Sequence, residues 1–346
     1  LATAAAGAPL IDPRSTAAAF DADMARIQSL PTARDPWALL QIVPSVMLDR
    51  ENVGGNESGR QASFVAKGDD TNGANGLWAL DGVDITDSSD LGRAALCPDF
   101  DTLEDVRVTT GGAADVAVQT AGVTLNMVTR RGGNKVGLSS RFYLTDNFFQ
   151  SDNLTDGLRA QGVANTNRIQ QIKDFGVSAG GPLIKDRVWW WGAYGVQDIF
   201  NFTIYNTKDQ AVLNNYSFKL NIRPWGGNSF EALATSGSRD VYGVGAAAAK
   251  PEGNHEAGMT ALGSPFFKLQ DEQVVNNNFV LTLKYSFNDT GVTSKPSVDE
   301  TMVNPVVWSI GTQTYVPFSS DYGRSWDWSA SERPRVSKRL SNRSRT

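Results

Sequence analysis

The segment FVLTLKYSFN, residues 279–288, sets Phe279, Leu281, Leu283, Tyr285 and Phe287 against Val280, Thr282, Lys284, Ser286 and Asn288. Successive side chains of an extended chain point to opposite faces, so this spacing predicts a strand with one apolar and one mostly polar face. Upstream, Tyr216, Phe218, Leu220 and Ile222 alternate with Ser217, Lys219, Asn221 and Arg223 in the same way. Val188, Trp190, Tyr194, Val196 and Phe200 form a third such face, blurred by Trp189 and Trp191. Weaker versions occur at Leu138, Phe142 and Leu144 against Ser139, Arg141 and Thr145, at Phe175, Val177 and Ala179, and at Phe230, Ala232 and Ala234. Period two therefore dominates from Val136 onward.

Two architectures produce such alternation: a soluble β-sandwich, apolar face inward, and a transmembrane β-barrel, apolar face toward lipid. Link lengths discriminate. With strands at 136–147, 174–180, 188–200, 214–223, 228–236 and 276–288, the links run long, short, long, short, long. Outer-membrane barrels alternate short periplasmic turns with long outer loops, whereas sandwiches have no reason to. Phe148, Phe149, Trp189 to Trp191 and Trp225 stand at strand ends, where amphipathic rings suit the boundary between hydrocarbon and headgroups. No run of apolar residues is long enough for a membrane helix, whereas a β-barrel span is not excluded.

Before Val136 the chain reads differently. Residues 1–29 are Ala-rich and weakly patterned, with an amphipathic stretch from Ala17 to Ile27, and read as a leader or linker. Residues 30–135 carry Gly, Asn, Asp and Val with short apolar runs at Trp37 to Val43, Leu77 to Leu80, Val106 to Thr109 and Val123 to Val128, expected as short strands. One helix turn is expected after Asp35, with Asp35 as cap and Pro36 at the first helical position.

Composition narrows the function classes. A net charge of −5 gives no electrostatic reason to expect a nucleic-acid partner. Cys97 is the single cysteine and His255 the single histidine, so disulfide frameworks, Cys-rich zinc modules and His-dependent triads lack their parts. Asn254-His255-Glu256-Ala257 reads as a polar loop. The oxygen-rich run from Asp69 to Asp90 misses the calcium-loop spacing, since Asn75 stands where glycine is needed and no glutamate closes it. Gly243-Val244-Gly245 lacks the strand, helix and acidic residue of a dinucleotide site. Asp101 with Glu104, or Asp271 with Glu272, are carboxylate pairs that nothing places across a cleft. The expectation is no enzyme, no cofactor, no metal and no catalytic residue.

Three stretches, LLQIVPSV at 39–46, LWALDGVDITD at 77–87 and FDTLEDVRVTTGGAADVAVQTAGVTLNMVTRRGGNK at 100–135, resemble the plug domain of TonB-dependent outer-membrane receptors. RFYLTD at 141–146 and GVSAGGPLIKDRVWWWGAYG at 176–195 are similar to the first barrel strands of the Oar-like branch. The resemblance implies an α+β plug domain at 30–135 and the amino-terminal portion of an antiparallel transmembrane β-barrel at 136–318. A basic tail at 319–346 is expected to be disordered. A family barrel has 22 strands around its plug, and about six cannot close that circumference, so the chain reads as a fragment.

By resemblance the function is ligand-gated uptake across the bacterial outer membrane. The implied partners are the TonB–ExbB–ExbD energy-transducing complex, outer-membrane lipid and an unidentified extracellular ligand; no TonB box is evident near the start. The polar strand faces make Arg141, Lys219, Asn221, Arg223 and Lys284 candidates for lining the lumen. In the plug, Gly111, Gly112, Gly122, Asn126, Arg130, Arg131 and Gly132 are expected to organise structure, glycine allowing close approach to the wall and arginine pairing with lumen carboxylates. Alternative readings are an adhesion or surface-assembly protein on the same plug and barrel, and a secreted β-sandwich whose tryptophans hold sugar.

Overall fold

A computed structural model describes residues 18–23, 34–44, 46–49, 52, 54–66, 76–86, 94, 96–110, 122–246, 253–259, 266–276, 279–296, 306–309, 314–317 and 338–345. The calls on Gly111, Gly112 and most of the Asp-rich run fall outside these residues.

The amino-terminal domain is built on a five-stranded mixed sheet. Its strands are β1 (Ala18–Asp23), β4 (Leu77–Leu80), β5 (Val83–Asp84), β6 (Leu103–Thr110) and β7 (Thr124–Thr129), in the order β1-β6-β7-β4-β5. A separate pair, β2 (Val46–Leu48) and β3 (Phe64–Ala66), lies beside it. Alternating burial along β7 places Leu125 and Met127 inside, opposite Val106 and Val108 of β6. Over them pack Trp37, Phe64 and Trp78, with Trp37 and Phe64 each edge-on to Trp78 at 5.0 and 5.5 Å between centroids. Such geometry adds roughly 0.5–1.5 kcal/mol per pair beyond the area buried.

Two expectations for this region change. Ala18–Asp23 was expected as leader, yet it pairs antiparallel with β6 from Ala18↔Thr110 to Asp23↔Asp105, because the edge of β6 offers unpaired backbone groups. Trp37 to Ile42 is a short 3-10 helix rather than a strand: the Asp35 carboxylate accepts the Trp37 amide at 2.9 Å and Pro36 supplies φ −56°. The helix turn expected after Asp35 is the one that forms.

The second unit is a nine-stranded antiparallel sheet, referred to as the wall. It comprises β8 (Gly137–Asp146), β9 (Arg168–Ile184), β10 (Val188–Phe202), β11 (Lys208–Ile222), β12 (Asn228–Val244), β13 (Asn254–Met259), β14 (Phe266–Asn276) and β15 (Phe279–Pro296). A strand at Lys338–Arg345 pairs with β15, within the tail that was expected to be disordered. The 147–167 link carries a short helix, α1 (Asp156–Ala160), capped by Thr155.

The strict alternation of link lengths does not hold. Turns at 185–187 and 223–227 are short and 147–167 is long, but 203–207 is also short, because β10 and β11 run on past their apolar stretches. Thr203 and Thr207 tie that turn with a hydroxyl pair at 2.6 Å, and Asn206 adopts φ 57°. The expected link 237–275 contains β13 and β14. Alternation in β14 is masked since Phe266 turns toward the amino-terminal domain while Asp271 and Gln273 sit among apolar residues on the opposite face.

Residue parity assigns the wall's faces. Phe142, Tyr216, Phe218, Leu281, Leu283 and Tyr285 are largely solvent-accessible on one face, whereas Lys219 on the other is only 2 % exposed beneath the amino-terminal domain. Leu233 of β12 and Phe266 of β14 enter that domain's own core. The wall's polar face therefore packs on a globule rather than on a second sheet, which removes the sandwich reading.

Candidate functional site

The contact between the two units is where polar side chains converge. One cluster forms at β8 and β9. Arg141 of β8 holds Asp99 through Nη2 at 2.7 Å, Asp101 at 3.1 Å and Asp174 of β9 at 2.8 Å. Arg34 joins from the amino-terminal domain, reaching Asp101 at 2.8 Å and Asp174 at 3.1 Å. Its φ of 56° is left-handed, a strained state for a residue with a Cβ, and its guanidinium lies 4.7 Å from the Tyr143 ring centre. Gly195 of β10 makes the space, because a Cβ there would lie 2.0 Å from Asp99 Oδ2. The gap left among these groups is about 30 Å³, room for a water and not a ligand. Burial pushes the Asp99 carboxyl above the usual carboxylate range, with Arg141 opposing. This carboxylate therefore loses its charge at a higher pH than an exposed aspartate would.

A second cluster grips one hairpin turn. Asp81 and Gly82, joining β4 to β5, have φ 48° and 71°, the two left-handed positions an Asp-Gly hairpin turn requires. Asp81 accepts the Thr129 amide and hydroxyl, and Gly82 donates its amide to Asn126 Oδ1 at 3.0 Å. From the wall, Lys219 Nζ donates to both Asp81 oxygens at 3.2 and 3.3 Å and to the Thr129 carbonyl at 3.2 Å. Glu231 bridges Lys219 at 3.3 Å and Lys268 at 2.8 Å, and Lys284 Nζ donates to the Gly82 carbonyl. Lys219 and Asp81 side chains are 3 % and 4 % exposed, so neither charge has water to fall back on.

A third set lies toward the 203–207 turn. Arg60 pairs with Asp209, Arg239 donates to the Gly59 carbonyl at 3.0 Å, and Asn201 donates to the Asn56 carbonyl at 2.9 Å. A Cβ on Gly59 would lie 2.4 Å from Ala211, so backbone and wall approach closely here.

The candidates named from sequence fall into three groups. Arg141, Lys219 and Lys284 reach the amino-terminal domain directly, as above. Asn221 donates to Glu231 at 3.2 Å within the wall, while its Oδ1 is buried without a partner among the described residues. Arg223 is exposed beyond the end of β11 and lies over the Trp189 ring at 5.7 Å.

Among the plug positions, Gly122 is buried ahead of β7 and Asn126 holds Gly82. Gly132 passes so near the wall that a Cβ would lie 2.2 Å from the Trp190 carbonyl oxygen. The arginine expectation is corrected: Arg130 donates to the Leu103 carbonyl at 3.2 Å and Arg131 approaches Glu104 at 4.0 Å, both inside their own domain. The wall carboxylates Asp174 and Asp209 pair instead with Arg34 and Arg60, which no periodic pattern marks. His255 is in a strand rather than a loop, bonded to Asp240 at 3.0 Å.

A small mixed sheet with its own aromatic core is seated through ion pairs on one face of an antiparallel wall whose other face is apolar, the arrangement of a plug against a barrel. The fold is that of a small domain seated against part of a barrel wall whose other face is apolar and exposed. No family model matches the sequence. Over 197 residues it is 26% identical to the TonB-dependent transporter Oar of Myxococcus xanthus, covering 54% of this chain and 17% of Oar. Its fold is similar to the siderophore receptor PirA of Acinetobacter baumannii, with TM-score 0.52 and 13% identity over 86% of this chain and 46% of PirA. It is also similar to a mutant ferric enterobactin receptor PfeA of Pseudomonas aeruginosa with enterobactin bound, at TM-score 0.52 and 12% identity, covering 84% and 47% of the two chains. The ferric citrate transporter FecA without ligand gives TM-score 0.50 and 10% identity over 88% and 50%. The chain spans about half the length of these solved receptors.

Proposed function

We propose that this chain forms the gate of an active outer-membrane importer. An extracellular ligand binds over the plug, and the TonB–ExbB–ExbD complex draws the plug aside from the periplasm. The observation that carries the reading is the chemistry of the seam. Besides apolar contacts at Leu233, Phe266 and the Ile199, Ala211 and Leu213 patch beside Gly59, the wall meets the plug through charged groups: Arg141 with Asp99, Lys219 with Asp81, Arg34 with Asp174 and Arg60 with Asp209. Such contacts exchange for water one at a time as the seam opens, which a dry core cannot do. The short turns at 185–187 and 223–227 mark the periplasmic end and the 147–167 link the outer end, following the asymmetry of outer-membrane barrels.

The lumen-lining role is proposed for Arg141, Lys219, Asn221 and Lys284, and Arg223 is proposed as a rim residue at the periplasmic end. The domain division is proposed as plug from at least Ala18 to Lys135 and wall from Val136.

The test is uptake by cells in which this receptor is the single route. Ferric citrate and ferric enterobactin, carried by two of the structural relatives according to their names, open the panel. Accumulation of a transported ligand should vanish when the energising complex is deleted and return when it is restored. Unchanged accumulation, or surface attachment that ignores the complex, sinks active import in favour of adhesion.

A further inference from the structure

On the lipid-facing side, the wall's apolar rows end before its strands do. Register aligns Phe142, Phe175 and Val196 with Asn214 and Ser238, then Leu144, Lys173, Asp198, Val212 and Asp240, so charged side chains enter this face one step beyond Phe175 and Val196. Past them, on the same face, the strands present a second group of rings. Phe200 aligns with Gln210, Tyr242 and His255, and Phe202 lies between Arg168 and Lys208.

These rings and cations are organised. Tyr242 and His255 stack at 4.3 Å with their planes 2° apart. Lys208 Nζ lies 5.1 Å from the Tyr242 ring centre and 5.4 Å from that of Phe200, and the Arg168 guanidinium is 4.6 Å from the Phe202 ring. The carboxylates of this zone already have donors: Asp198 accepts from Gln210 at 2.6 Å, Asp240 is bonded to His255, and Asp146 accepts from Gln171 at 3.1 Å. Neither Lys208 nor Arg168 has a carboxylate partner among the described residues; Arg168 donates to the Asn206 amide oxygen. The zone thus offers ring faces and two uncompensated cations.

We infer that this patch on the outer rim of the wall binds the headgroup of a phosphorylated glycolipid of the outer leaflet, its phosphates on Lys208 and Arg168 and its sugar rings against Tyr242, Phe200 and Phe202. Charge complementarity and continuity with the lipid-facing rows select this occupant. Anionic headgroups attract basic side chains at a membrane surface, and flat rings suit a boundary that is apolar on one side and wet on the other. The inference rests on the outer-membrane reading, since only there do the rows below the patch face lipid.

The experiment uses the receptor at the length the cell makes, purified from outer membranes in mild detergent. Glycolipid retained per protein is measured by phosphate and sugar assay. Lys208→Gln with Arg168→Gln should lower retention by roughly thirtyfold, each basic residue contributing about fivefold at such a surface. Lys208→Arg with Arg168→Lys should keep it, which separates loss of charge from misfolding. Lys185→Gln, at the opposite end of the wall, should change nothing. Added back to delipidated receptor, lipopolysaccharide should bind and its dephosphorylated form should not, while millimolar inorganic phosphate should fail to displace it. Full retention by the double glutamine variant, equal binding of the dephosphorylated lipid, or displacement by inorganic phosphate overturns the inference and leaves the receptor reading intact. Absence of the protein from the outer-membrane fraction overturns that reading instead.

Discussion

The plug's interior is almost wholly apolar, whereas its seam with the wall mixes ion pairs with apolar contacts at Leu233, Phe266 and the Ile199, Ala211 and Leu213 patch. Inside, Trp37, Phe64, Trp78, Leu103 and Leu125 close off water almost completely; at the seam, Arg34, Arg141 and Lys219 meet Asp99, Asp101, Asp174 and Asp81. A dry core gains its stability from area removed from water and loses it all together, whereas ion pairs are local and replaceable by solvent. The difference predicts that the ion pairs of the seam can be loosened while the amino-terminal core stays folded.

The largest effect should therefore come from the core. Trp78 is 1 % exposed and touches both Trp37 and Phe64, so Trp78→Ala should cost about 3–5 kcal/mol through the cavity it leaves. Urea unfolding of the plug, followed by tryptophan fluorescence while the barrel stays intact, would show it. A midpoint close to wild type would mean the core and seam are not distinct in the way described.

Lys219→Met comes next. Removing this cation leaves Asp81 buried with Thr129 as its remaining donor, a loss of roughly 3 kcal/mol expected of a broken buried pair. The signature differs from that of the core variant: hydrogen exchange should quicken at the Gly82 and Thr129 amides and stay slow at Leu125 and Met127. Adding Asp81→Asn should recover at least half of the loss, since the stranded charge is then gone. Uniform acceleration across the plug would tie seam and core into one cooperative unit.

What the sequence made legible follows from where alternation has a physical cause. Along FVLTLKYSFN one face is apolar and exposed and the other turns toward a seam rich in charged groups, so the two sets of positions differ in composition. Parity then placed Lys284, Lys219 and Arg141 on the polar side. Asp174 and Asp209 occupy the same parity within β9 and β11 and were within reach of that logic. In β14 the rule fades, because Phe266 joins the plug core while Asp271 lies on the outward face beside Leu283. Arg34 and Arg60 were not legible: their partners lie 140 and 149 residues away, and only the folded register brings them together. Arg130 and Arg131 drew notice as a conspicuous pair, yet their reach is set by the turn at Gly132, which keeps them within the plug.

That turn gives the third effect. Gly132→Ala would drive a methyl into the Trp190 backbone, which cannot yield as a flexible side chain does, and should cost about 1–3 kcal/mol. Gly133→Ala, with nothing within 4 Å of its added carbon, is the matched control and should be silent. Proteolysis of the 130–136 connection would report the difference, faster cleavage in the first variant and wild-type cleavage in the second.

The smallest effect is expected at Arg131, and it sharpens the comparison most because its charge partner resembles those of the seam. Its guanidinium lies 4.0 Å from Glu104, but the two side chains are 69 % and 47 % exposed. Water screens such a pair and ordering two long side chains offsets most of the attraction, so Arg131→Ala should shift plug stability by about 0.5 kcal/mol or less. Raising the salt concentration should erase even that, while leaving the Lys219 effect in place, because counter-ions reach Glu104 and do not reach Asp81. Should the two variants respond alike to salt, burial would not be what separates a holding contact from an incidental one, and the seam would be solvated throughout.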